Sequence, residues 1–169
     1  MKLDLGCGRK PRAGFIGVDM SAACSPDVLH DLRCMPWPFD DASVDEVYSG
    51  HFLEHLDGEE RIAFMEELYR VLRPGGTALI VTPYWSWVGA VQDPTHKWPP
   101  IAEQSYHYFS KALREQMGVD FYPIRCDFDV SFGFSVLPQF AHLPKAELDR
   151  ARAHSLNVVA ELRATLVRR

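Results

Sequence analysis

The stretch Leu3-Asp4-Leu5-Gly6-Cys7-Gly8 constrains the fold more than any other, because it turns a short apolar strand into a loop shaped by two glycines. Glycine lacks a Cβ, so it reaches backbone angles that other residues avoid and lets a ligand approach the main chain. Two of them, one residue apart at the carboxyl end of a strand, mark a small-molecule seat in an α/β sheet. The dinucleotide fingerprint G-x-G-x-x-G fails here on two counts. Pro11 stands where the third glycine belongs, and Asp19, the first acidic residue after Gly8, follows eleven residues later rather than about 20. A parallel crossover takes at least about 10–12 residues, so residues 9–15 leave room for a loop and one helical turn. A pyrophosphate would lack the helix N-terminus it rests on. A ligand with an adenosine ribose and no phosphates suits the loop better.

On these residues, L-D-L-G-C-G followed by R-K-P-R-A-G-F-I-G-V-D ending at Asp19, the sequence resembles the class I S-adenosylmethionine-dependent methyltransferases. It looks most like a subgroup in which the helix after the first glycine motif is shortened to a loop. The likeness runs from Leu3 to about Phe109. It implies an α/β fold with a Rossmann-like, mostly parallel sheet, S-adenosyl-L-methionine as cofactor and S-adenosyl-L-homocysteine as product. It also implies a cofactor site on Asp4, Gly6, Cys7, Gly8, Asp19, Met20, Asp31, Leu32, Ser49 and His51. Asp19 carries the clearest role, since a carboxylate closing the second strand accepts both ribose hydroxyls. Asp4, near its strand's end, either meets the cofactor's ammonium or braces the loop. Asp31 and Leu32 fall where the family contacts adenine, with a spacing to Asp45 about two residues longer than its commoner pattern.

With 169 residues, 47% of them hydrophobic, the chain is expected to be a single domain, residues 1–169, with one core. A formal charge of −5 and a pI near 5.8 give no electrostatic reason to expect nucleic acid or an anionic membrane surface as partner. Cys7, Cys24, Cys34 and Cys126 show no C-x-x-C spacing, and the opening Met-Lys-Leu-Asp is not a secretory leader. The expectation is reduced thiols in a cytoplasmic protein with no membrane span.

Further strands are expected at residues 16–19, 28–30, 44–49 and 77–82. Asp57 and Glu60 spell a capping box, and Ile62, Met65, Leu68, Tyr69 and Leu72 then recur at helical spacing up to Arg73-Pro74-Gly75-Gly76. Strand, helix, strand in this order implies parallel pairing with right-handed crossovers. Met35-Pro36-Trp37-Pro38 cannot be regular. A short helix capped by Ser110 ends near Gly118, and residues 124–136 read as a closing antiparallel pair turned at residues 131–133, completing a core of residues 1–137. Residues 144–169 read as a C-terminal helix with Leu148, Leu156, Val159, Leu162 and Leu166 on one side. Such a helix would cover a bare flank of the sheet or form a homodimer.

Ser49-Gly50-His51-Phe52-Leu53-Glu54-His55 contains H-x-x-E-H, which on a helix would place His51 and His55 for zinc with Glu54 as base. That would make a zinc hydrolase. The run follows a strand, however, is cut short by Asp57-Gly58, and has no third ligand at a recognisable spacing, so no resident metal is expected. His51, at the strand's end, is read instead as a catalytic residue that orients or deprotonates an acceptor. Asp93 and His96 join it as catalytic candidates in the aromatic segment 83–105, where the resemblance implies acceptor-side residues. Tyr84, Trp85, Trp87 and Trp98 are candidates for binding the substrate, or for that segment's own small core. Ser-Gly-His-Phe is not the N-P-P-Y or D-P-P-Y run of enzymes that methylate amide or base amino groups. The expectation is therefore a methyltransferase acting on a small molecule or a sugar; the alternative is a non-catalytic subunit that binds the same cofactor.

Overall fold

A computed structural model describes residues 1–169. Its frame is a seven-stranded sheet whose strands are β1 (Lys2–Leu5), β2 (Ile16–Asp19), β3 (Val28–Leu29), β4 (Val44–Gly50), β5 (Leu72–Pro83), β6 (Phe128–Val136) and β7 (Val159–Arg168). The spatial order is β3-β2-β1-β4-β5-β7-β6. Strands β1 to β5 pair in parallel, and β7 runs antiparallel to both β5 and β6. This is the mostly parallel Rossmann-like sheet with an antiparallel pair at one side. The order reverses at β1, which neighbours both β2 and β4, and ligands of open α/β sheets settle outside the carboxyl ends of strands at such a point.

Helix α1 (Gly58–Val71) begins with the capping box, Asp57 accepting from the Glu60 N–H and Glu60 from the Asp57 N–H. It buries Phe64, Met65, Leu68 and Val71 against the sheet. Trp37 packs edge-on against Phe64 at 5.1 Å, with its indole N–H donating to the Leu32 carbonyl and its backbone N–H to Glu67. The proline-bound segment 35–38 is thus fastened to α1 without secondary structure. Four shorter helices follow: α2 (Val88–Gln92), α3 (Glu103–His107), α4 (Lys111–Met117), closed by Gly118 in the left-handed region, and α5 (Lys145–His154). No helix is long and apolar enough to cross a membrane.

Two expectations fail at the C-terminal side. Residues 124–136 do not fold back on themselves: β6 is one strand, straight through Ser131-Phe132-Gly133, and its partner is β7. Phe128, Val130, Phe132, Phe134 and Val136 alternate with polar or small residues, which is the period of a strand; Gly133 sits opposite Arg163 as an ordinary ladder position. The helix expected over 144–169 stops at His154, caps at Ser155, and turns at Asn157, whose φ is +57°. Beyond it Leu162, Ala164 and Leu166 are fully buried while Arg163 and Thr165 face out. Leu156, Val159, Leu162 and Leu166 match a helical stripe on paper, but Leu162, Ala164 and Leu166 also fit a two-residue repeat, and β5 offers a ladder to fill. The proposed dimer helix is therefore only α5, which buries no residue.

This arrangement makes Leu162 a core residue and Leu156 a surface one, 66% exposed. Leu162→Ala should lower stability by about 2–5 kcal/mol, and Leu156→Ala should stay within about 0.5 kcal/mol. Urea unfolding midpoints measure both, and equal losses would contradict the strand.

Candidate cofactor and acceptor site

The glycine loop leaves β1 and is held by backbone and carboxylate together. Gly6 and Cys7 N–H both donate to the Val18 carbonyl on β2. Gly6 has φ +72° and Gly8 φ +56°, the left-handed region open to glycine. Asp19 then ties the loop from the neighbouring strand: its Oδ2 accepts from the Gly8 N–H at 2.9 Å, and its Oδ1 from the Ser21 N–H at 2.8 Å. Beneath the loop, buried Asp4 accepts from the Arg12 N–H at 2.7 Å, and burial raises its pKa against that bond and the Arg12 charge. The Arg12 guanidinium lies 4.5 Å over the Tyr48 ring, closing the short R-K-P-R-A-G loop onto the sheet.

Gly6, Asp19, Met20, Asp31 and Leu32 line one cavity of about 120 Å³ together with His30, Arg33, Phe52, His55 and Leu56. Asp31 is gripped by Arg33 through Nε and Nη2, and this hydrogen bonding chiefly holds its pKa below the usual carboxylate range. Of the residues expected here, Asp4, Cys7, Gly8, Ser49 and His51 are not among those lining this cavity. Ser49 is fully buried and its hydroxyl donates to the Leu5 carbonyl, stitching β4 to β1. Burial, with the Asp4 and Asp19 charges adding to it, pushes the Cys7 thiol up to about 11, so it is no nucleophile at neutral pH.

A second cavity, of about 540 Å³, adjoins the first through His55. His51, Asp93 and His96, the three catalytic candidates, all line it, with Glu54, Pro83, Trp87, Gly89 and Gln92. His51 leaves β4 with φ +55°, its N–H donating to the Val81 carbonyl. Its ring lies between two carboxylates, Nε2 at 3.0 Å from Glu161 and Nδ1 at 3.3 Å from Glu54. The Glu54 carboxylate, ahead of Glu161, raises the imidazole pKa against partial burial. The H-F-L-E-H run is not an α-helix: Leu53–His55 is a single 3-10 turn, so His51 and His55 do not face one another from successive helical turns. Arg61, outside this cavity, ties the turn to the following loop by donating to the carbonyls of Leu53, Lys97 and Pro99.

The aromatic candidates divide. Trp87 lines the second cavity. Tyr84 is buried, its hydroxyl donating to Glu103 and its ring packed edge-on against Phe134, so it belongs to the core. Trp85 and Trp98, 46% and 80% exposed, line neither cavity. Residues not expected at the site are Phe52, His30 and Arg33, which nothing in their spacing marks, and Glu161, hidden because its segment reads as a helix. Pairing places Glu161 opposite Pro83 on β5 and Ser135 on β6, at the same end of the sheet as His51.

Sheet order, with the glycine loop at its switch point and an acidic residue ending β2, makes a Rossmann-like fold of the kind found in methyltransferases of known structure. Residues 3–80 match the methyltransferase domain family. A protein of Mycolicibacterium smegmatis, described as a probable S-adenosylmethionine-dependent methyltransferase, is 48% identical over 58 residues, 34% of this chain and 21% of that protein. The matched stretch thus spans about a fifth of that relative's length. Among solved structures, a SAM-dependent methyltransferase from Archaeoglobus fulgidus superposes with a TM-score of 0.69 at 21% identity, covering 99% of this chain and 85% of that one. Phosphoethanolamine N-methyltransferase 2 from Haemonchus contortus, in complex with S-adenosyl-L-methionine, gives 0.55 at 17% identity, covering 99% and 48%.

The loop geometry separates its two glycines. A Cβ on Gly6 would come within 2.7 Å of the Phe52 ring, whereas one on Gly8 meets nothing within 4 Å. Gly8→Ala should therefore cost only the backbone term, about 1–2 kcal/mol. Gly6→Ala should cost measurably more, because Phe52 must also move. Thermal unfolding of the two variants side by side reads the difference, and identical losses would mean that Phe52 does not abut the loop.

Proposed function

We propose that the protein is an S-adenosylmethionine-dependent methyltransferase acting on a small molecule or a sugar. The observation carrying this reading is the Asp19 carboxylate, which holds the Gly8 and Ser21 N–H groups and lines the cavity at the switch point of the sheet. Each oxygen has given up one acceptor site to the backbone; the remaining lone pairs suit the two ribose hydroxyls. Space beyond Gly8 lets a ligand lie against the main chain. The cavity's 120 Å³ is below the roughly 300 Å³ of a complete small-molecule site. It therefore suits the nucleoside half, with Met20, Leu32, Phe52 and Leu56 against the base. Asp4 and Ser49 serve this site indirectly, one bracing the loop and the other joining β4 to β1.

The cofactor would supply a methyl group already activated as a sulfonium. The chain's own task is alignment, which is worth up to about 7–11 kcal/mol of barrier when reacting atoms are held in line. The adjoining polar cavity, with His51, Asp93 and His96 on its walls, is the seat for the acceptor. Trp87 offers an apolar face there.

Asp19→Ala should weaken binding of S-adenosylmethionine by tenfold or more, since each charge-assisted hydrogen bond is worth about 1.5–3 kcal/mol. Calorimetry with S-adenosylmethionine, S-adenosylhomocysteine and NAD decides the class of ligand. Preference for NAD, or equal affinity in the variant, would overturn the reading, and an acceptor screen scored by formation of S-adenosylhomocysteine tests turnover.

A further inference from the structure

Glu54 is 5% exposed, and neither of its carboxylate oxygens has a hydrogen-bond donor. The His51 Nδ1 lies 3.3 Å from one oxygen, an ion pair when that ring is protonated, and leaves the other oxygen with nothing. A buried carboxylate without donors is costly unless paired or bound to a cation. Glu54, His55 and His96 each offer an atom within 4.8 Å of the other two, and all three line the same cavity. Both imidazoles are already oriented. His55 Nδ1 lies 3.3 Å from the Thr95 carbonyl, and His96 Nδ1 3.0 Å from the Ala90 carbonyl. A carbonyl only accepts, so each Nδ1 carries the proton, and in the neutral ring Nε2 keeps its lone pair; His96 Nε2 lies 3.7 Å from the Asp93 carboxylate. Ligating histidines are characteristically held in this way by an outer partner.

We propose that Glu54, His55 and His96 form a binding site for a divalent first-row transition-metal ion. Two imidazoles and one carboxylate favour such an ion over magnesium or calcium, whose preferred ligands are oxygens. Bonds of about 2.0–2.2 Å require the three side-chain donors to close from their present spacing. Three protein ligands leave positions open toward the cavity. An acceptor hydroxyl placed there binds through its oxygen; its proton leaves to solvent and the electron pair stays on the oxygen, at a pKa lowered by the cation. Resting on the methyltransferase reading above, this narrows the acceptor to a compound that offers a hydroxyl to a metal ion. The spacing along the chain hid the site, because the third ligand lies 41 residues beyond His55.

The test is a titration of tag-free protein, stripped with a chelator, with Co²⁺ followed by its visible absorption and then displaced by Zn²⁺. The expected result is one ion per chain, weakened at least about 10–100-fold in both Glu54→Gln and His96→Ala. No bound Co²⁺ in the wild type, or unchanged affinity in the folded variants, overturns the site. Should Glu54→Gln fail to unfold cooperatively, His96→Ala decides. Calorimetry of S-adenosylmethionine on the same metal-free protein keeps the two readings apart: its failure removes the methyltransferase assignment without touching the Co²⁺ result.

Discussion

Everything at the working end of this molecule hangs on one carboxylate bridging two strands' exits. Asp19 ends β2, yet its oxygens are spent on backbone N–H groups of the loop after β1 and of its own following turn. Without that clamp the loop 6–8 would be tied to β2 only through the Val18 carbonyl, and two glycines would be free to wander. Charge-assisted bonds to backbone amides are strong for their size, and here they convert a flexible tripeptide into a fixed rim. The shortened crossover makes the clamp more important, since no helix is present to stiffen the loop from behind. Asp4 and Arg12 take up that duty from below.

The parallel half of the fold was legible because its signals are local. The strand before Gly6 and the capping box at Asp57 and Glu60 act within a few residues and appear where their chemistry places them. The helix stops at Val71 as the Pro-Gly-Gly run demands, but that run is carried into β5, which begins at Leu72 rather than at 77. The antiparallel half was not, because its decisive facts are long-range. Val159 to Leu166 satisfies two periodicities, and only β5 and β6, far away in sequence, choose between them. Gly133 looks like a turn on its own and is a plain ladder residue once Arg163 stands opposite.

The site divides along the same line. Gly6, Asp19, Met20, Asp31 and Leu32 sit next to each other in sequence or at strand ends, and they meet in one cavity. His51, Asp93 and His96 also converge, for a simple topological reason: both segments leave the carboxyl ends of the adjacent strands β4 and β5. What spacing could not convey was direction. Ser49 points into the sheet, Trp98 into solvent, and Glu54, which looked like part of a helical motif, is turned inward by a 3-10 bend.

The position of β7 carries a consequence for how the molecule comes into being. It follows every other element described here, yet it lies between β5 and β6 and brings Glu161 to within 3.0 Å of His51. A nascent chain can pair the parallel strands β1 to β5 before β7 has been made. The antiparallel pairing and the Glu161 contact to His51 form only once β7 is present, so a product cut short before residue 159 would keep the glycine loop and leave the His51 ring with Glu54 as its one carboxylate neighbour.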